Sequence, residues 1–173
     1  DFEIDENEYS FFVLKKVNEL LIPFIQTRED EGKRLKTYFL ERIDVLEEKI
    51  TEIKKYKEIV VENYKEKLME RLDKIRGAID FKEEDILKEI LLFTDKSDIS
   101  EEISRLDSHM EQLRKEMESR DTAVGKKIDF ILQEIFRELN TTGVKCNLYD
   151  ISKLIVECKN ELEKIREQAM NIE

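Results

Sequence analysis

The sequence predicts an all-α protein, and three observations predict it. Gly occurs four times and Pro once in 173 residues, too few for the tight turns of a sandwich, a barrel or a doubly wound sheet. Apolar residues make up 40%, enough to bury a core, and they recur at helical spacing rather than in alternation. Charged residues make up 42%; Glu and Lys fill most positions between the apolar ones, as in amphipathic helices with solvated outer faces.

The elements follow in order. From Glu8, the residues Phe11, Phe12, Leu14, Val17, Leu20 and Leu21 mark a first helix. Pro23 lacks a backbone donor and is expected to kink that helix or begin a new one. Leu35, Phe39, Ile43, Leu46, Ile50 and Ile53 then form a near-heptad seam, as in a coiled coil. A second seam runs through Val60 or Val61, Tyr64, Leu68, Leu72 and Ile75. The seams read as out of phase across Lys54–Lys57, which predicts a turn and a long helical hairpin projecting from a compact helical C-terminal base. A single bent rod is the alternative. Beyond Gly77 the helices shorten: Glu83–Thr94 on Ile86, Leu87, Ile90 and Leu91, then one capped by Asp98 or Ser100 and carrying Leu106, Met110 and Leu113. After a polar loop at Arg120–Gly125 come a helix from Lys126 to Asn140, closed by Gly143, and a last one from Asp150 to Asn171. The expected division is a long helical segment over 1–80 and a helical domain over 81–173.

Composition excludes several functions. The net charge is −11 and is spread along the chain, without the basic excess of a duplex-DNA reader. No apolar run approaches the ~18–20 residues of a membrane span, and no signal-peptide pattern opens the chain. The start at Asp1 rather than Met reads as a fragment. Two cysteines, Cys146 and Cys158, are too few for a disulfide framework and fit a reducing cytoplasm.

His109 is the only histidine. One copy therefore cannot supply the two imidazoles of a metal-free base-and-acid ribonuclease, nor a His-His metalloprotease site. Carboxylate and metal chemistry remain. Asp98, Glu102, Arg105 and His109 are spaced 4, 3 and 4 apart, one column on a helix face. Carboxylate, guanidinium and imidazole together could bind a phosphodiester and move a proton; the same column could equally be a solvated salt-bridge ladder. Asp129, Gln133, Arg137 and Asn140 form a second polar column, flanked by Glu134 and Glu138, whose carboxylates suit Mg²⁺ or Mn²⁺. Asn140-Thr141-Thr142-Gly143-Val144-Lys145 reads as a polar turn ending in a cation.

Three strings resemble the C-terminal region of the YicC family of bacterial endoribonucleases: DISEEISRLDSHMEQ (98–112), GKKIDFILQEIFRELNTTGVK (125–145) and LIVECKNELEKIREQAMNIE (154–173). Residues 1–94 match the family's middle helical segment in pattern, and its N-terminal domain is absent. The resemblance implies a cytoplasmic, homo-oligomeric and hexameric RNase that cuts single-stranded RNA with a divalent metal; charge and hydropathy leave no DNA or membrane as partner. Family motif positions fall on both polar columns and also on Lys159 and Arg166. Together the two lines give expected roles. Glu102, Glu134 and Glu138 hold Mg²⁺ or Mn²⁺; Arg105, Arg137 and Lys145 bind phosphate oxygens, with Gln133 and Asn140 as further RNA contacts. His109 protonates the leaving oxygen or orients substrate, so that His109, Arg105, Glu102 and Arg137 form the catalytic set. Val144 stands where the family usually has Ser, which puts a phosphate contact there in doubt. A helical scaffold, or RNA binding without cleavage, is the competing expectation.

Overall fold

A computed structural model describes residues 6–75, 82–118 and 124–170. The described chain folds as five helices: α1 (Glu6–Ile75), α2 (Glu83–Ser97), α3 (Ser100–Glu118), α4 (Val124–Cys146) and α5 (Tyr149–Ala169). The all-α expectation holds, and among the described residues no helix is long and apolar enough to cross a membrane.

The expected hairpin does not form. α1 runs without a break through Lys54–Lys57, and equally through Pro23. The heptads in fact stay in phase: Ile53 and Val60 are both buried, seven residues apart, so choosing Val60 over Val61 continues a single seam. No Gly or Pro interrupts it, and the lysines at the supposed turn are held from outside. Lys54 Nζ lies 2.6 Å from Asp107 Oδ1 and Lys57 Nζ donates to Ser100 Oγ at 2.5 Å. At Pro23 the missing N–H costs the helix about 3 kcal/mol, yet the helix continues, and Thr27 Oγ1 donates back to the Pro23 carbonyl at 2.8 Å.

The chain divides into two compact units, Asp1–Phe39 and Leu40–Glu173. The expected boundary at residue 80 lies outside the described residues, as do residues 120–123 of the loop expected over Arg120–Gly125; Val124 and Gly125, expected in that loop, already belong to α4. In the first unit every residue from Glu8 to Arg34 is exposed, including Phe11, Leu20, Ile22 and Phe24. Ion pairs on this stretch are local, such as Lys16–Glu19 at 2.8 Å and Asp30–Lys33 at 3.5 Å.

The second unit is a helical bundle. Ion pairs fix its register. Arg114 meets Asp44 and Glu47 while Lys54 meets Asp107, so α3 runs antiparallel to this part of α1. Arg42–Glu161 and Lys49–Glu157 set α5 antiparallel to α1 as well. Arg105–Glu138 with Glu116–Lys127 make α3 and α4 antiparallel, and Asp129–Arg166 with Asn140–Lys159 do the same for α4 and α5. Between them, Ile43, Leu46, Ile50 and Ile53 bury against the apolar stripes of Leu106, Leu113, Ile128, Ile135, Leu139, Ile151, Cys158 and Ile165. α2 buries less: Leu87 and Leu91, expected in its core stripe, are exposed.

The Asn140–Lys145 segment is helix, not a turn. α4 continues through it because Gly143 packs where α5 crosses; a Cβ there would stand 3.1 Å from Ile155 Cδ1. Asn147, at φ 44°, ends the helix instead, its N–H donating to the Gly143 carbonyl at 3.2 Å. Asparagine tolerates that left-handed conformation better than most residues.

Candidate functional site

The antiparallel register of α3 and α4 brings the first polar column against the carboxylates of α4. Arg105 bridges Glu138 at 3.3 Å and its own-helix neighbour Glu101 at 2.5 Å. These hydrogen bonds and charges, Glu138 first, raise its already high pKa further. One turn nearer the start of α3, Glu102 is buried and takes Lys145 Nζ at 2.7 Å. Lys145 also donates to the Asp98 carbonyl at 2.9 Å; the hydrogen bond to Glu102 raises its pKa, against burial. Glu102 Oε2 is buried with no hydrogen-bond partner among the described residues, and so is His109 Nδ1. Asp98 itself precedes the helix and caps it, accepting from the Ser100 N–H at 3.0 Å and from the Ser100 hydroxyl.

The second column opens on the other side of α4. Gln133, Arg137 and Asn140 line a cleft of about 300 Å³ with Arg166 and Glu163 of α5, over a floor of Leu132, Phe136 and Leu162. Arg166 Nε donates to Asp129 Oδ1 at 2.9 Å and Gln133 Nε2 to Asp129 Oδ2 at 2.7 Å. At the opposite end Lys159 Nζ donates to Asn140 Oδ1 at 2.6 Å and sits 4.9 Å from the Phe136 ring centroid. Arg137 meets Glu134 through Nη1 alone, at 3.2 Å, with 72% of its side chain exposed. Its remaining N–H donors face solvent at the cleft, a geometry suited to phosphate oxygens.

The α4 polar residues thus divide. Gln133, Arg137 and Asn140 share a cavity, whereas Glu102, Arg105, His109, Glu134, Glu138 and Lys145 do not line it. The rungs Arg105–Glu138 and Glu116–Lys127 place His109 level with Glu134, so the Glu134–Arg137 ion pair lies between the histidine's position and the cleft. The three carboxylates expected to hold a metal do not fit that role within one chain. Each is paired with a different cation, and among the described residues no three His, Cys, Asp or Glu side chains gather into a ligand set. The α5 side of the cleft was less legible: Lys159 and Arg166 fell on motif positions without a role, and Glu163 and Phe136 gave no signal apart from their helical phase.

Comparison with known proteins places this geometry in a family. The family model described as "Endoribonuclease YicC-like, C-terminal" matches residues 53–173, reaching back well before the motif strings into α1. Two relatives are each named a probable endoribonuclease YicC. That of Clostridioides difficile (strain 630) is 42% identical over 172 residues, covering 99% of this chain and 58% of the relative. That of Haemophilus influenzae (strain ATCC 51907 / DSM 11121 / KW20 / Rd) is 30% identical over 171 residues, again covering 99% and 58%. The chain therefore spans somewhat over half the length of these relatives. From motif strings, bundle and family match together, the chain belongs to the YicC-like endoribonuclease family.

Proposed function

We propose that the chain is the helical C-terminal part of a cytoplasmic endoribonuclease that cuts phosphodiester bonds of single-stranded RNA. The observation supporting this most directly is the α4/α5 cleft. In a chain of net charge −11 it gathers Arg137, Arg166 and the amides of Gln133 and Asn140 over an apolar floor that includes Phe136. Exposed guanidinium groups bind backbone phosphate, and unstacked bases settle on apolar and aromatic surface. Arg137 has the donors to hold a non-bridging oxygen and offset charge developing on it. His109, one ion pair away from the cleft, is the proposed proton donor to the leaving oxygen of a strand that runs from the cleft across the Glu134–Arg137 pair, where it comes within hydrogen-bond reach. Arg105 and Lys145 hold Glu138 and Glu102 beneath the site and attract the strand electrostatically. A requirement for Mg²⁺ or Mn²⁺ is part of the proposal, although Glu102, Glu134 and Glu138 of a single chain do not form a ligand set for it.

The test is cleavage of an unstructured RNA and of a duplex, with Mg²⁺, Mn²⁺ or EDTA, using both this chain and the longer protein. Selective, EDTA-sensitive cutting of the single strand is expected. His109→Ala should bind RNA and cut it about 10²–10⁴ times more slowly, whereas Arg137→Ala should also bind more weakly. Full activity in a folded His109→Ala protein would remove the histidine from the reaction.

A second reading, a helical oligomerisation region, is favoured by one observation: the exposed apolar residues of Tyr9–Ile25. A homo-oligomer is proposed on that ground, and a hexamer on the family resemblance. Sedimentation at micromolar concentration decides it, and a monomer would count against it.

A further inference from the structure

A second cavity lies in the Leu40–Glu173 unit, where α1 passes α2 and the end of α4. Its volume is about 280 Å³, close to the ~300 Å³ at which small-molecule sites begin. Tyr64 and Phe93 both line it, their rings stacked face to face with centroids 3.6 Å apart and planes 3° from parallel. The Tyr64 hydroxyl donates to Glu89 at 2.9 Å, which anchors the stack on α2. Lys67 and Arg71 follow on the same face of α1, and Asn63 and Asn147 complete the polar wall. Among the described residues, none that lines it is acidic, in a chain with 42 Asp and Glu. The left-handed backbone of Asn147 that terminates α4 also sets this residue in the wall.

These are the parts of a nucleotide site. Planar stacked rings offer an apolar platform of base dimensions, of the kind on which single-strand binders stack bases. Amides both donate and accept, as a base edge requires. Two cations at one rim suit a phosphate. We propose that this cavity is a second subsite for one nucleotide of the RNA strand, its base against the Tyr64–Phe93 stack and its phosphate on Lys67 and Arg71. The inference rests on the reading of the chain as acting on RNA, and adds a contact that neither polar column supplies.

The experiment measures binding of a labelled, unstructured RNA to the full chain in EDTA, together with photocrosslinking of the same RNA carrying 4-thiouridine. Lys67→Gln with Arg71→Gln alters exposed side chains and should leave the helical circular dichroism unchanged. It should weaken binding about tenfold and flatten the salt dependence by roughly 0.7 per lost phosphate contact. Crosslinks should map to the peptides containing Tyr64 or Phe93 and fade in Phe93→Leu. Unchanged affinity in the double variant, with crosslinks confined to α4 and α5, would overturn the subsite and leave the α4/α5 cleft standing. A mononucleotide that abolishes the crosslink without affecting binding of the strand would overturn it too, by assigning the cavity to a free nucleotide. Absence of RNA binding by the wild-type chain would remove both this subsite and the proposed function.

Discussion

The two units use the same vocabulary to opposite effect. Between Tyr9 and Ile25 eleven large apolar side chains are exposed, Leu20 to 73%. In the other unit the same residue types at the same spacing are sealed, with Ile43, Leu46 and Ile53 at 0%. Helical periodicity therefore reports which face is apolar, not whether anything covers it. Burial needs partner helices of matched register, and α3, α4 and α5 supply them from Leu40 onward.

The contrast can be broken by substitution, and the largest effect belongs in the bundle. Ile135→Ala or Ile50→Ala should lower unfolding stability by about 2–5 kcal/mol in urea titrations, as buried truncations do. A loss below ~1 kcal/mol would mean the bundle is looser than its burial indicates. The glycines sharpen the comparison. Gly32 has nothing within 4 Å of a built Cβ, so Gly32→Ala should raise helicity by the ~1 kcal/mol that separates the two residues in helices. Gly143→Ala gains the same propensity but crowds Ile155 at 3.1 Å; it should show no net gain, or a loss of up to about 2 kcal/mol.

Acid should act on the bundle. Hydrogen bonding to Lys49 holds Glu157 below its ordinary 4.5. Glu161 is also lowered: burial opposes, but hydrogen bonds from Lys164 and Arg42 prevail. A carboxylate depressed by folding contributes stability that is full above its unfolded pKa and lost as pH falls through the folded one. Denaturant midpoints should therefore hold steady at neutral pH and drop below about 4.5, by less in Lys49→Met. Smallest of all should be Leu20→Ala, within about 0.5 kcal/mol in the monomeric chain because an exposed side chain loses little on truncation. A larger loss that grows with protein concentration would reveal a partner on that face.

The sequence made some of this legible and hid the rest for identifiable reasons. The stripes of α4, Ile128 to Leu139, were readable because a core of four helices demands strict periodicity. The hairpin misreading came from one β-branched pair, Val60 and Val61, where a one-residue choice of seam shifted the apparent phase. Gly143 reads in the sequence as a stop because glycine commonly ends helices; its role in admitting Ile155 depends on a helix that follows it in sequence. At the site, the spacing within each column was visible, but the side of α4 on which a residue opens is a tertiary fact. It separates Arg137 from Arg105 although both stand on motif positions.

Both thiols lie in the bundle's interior, and burial raises Cys146 to about 11 and Cys158 to about 12. At neutral pH neither presents a thiolate, the form that reacts with maleimides. The folded protein is therefore slow to react with thiol-directed labels. A single cysteine introduced at Val144, 82% exposed on the last turn of α4, would take a fluorophore or spin label ahead of both native thiols, giving a distance probe without prior removal of either cysteine.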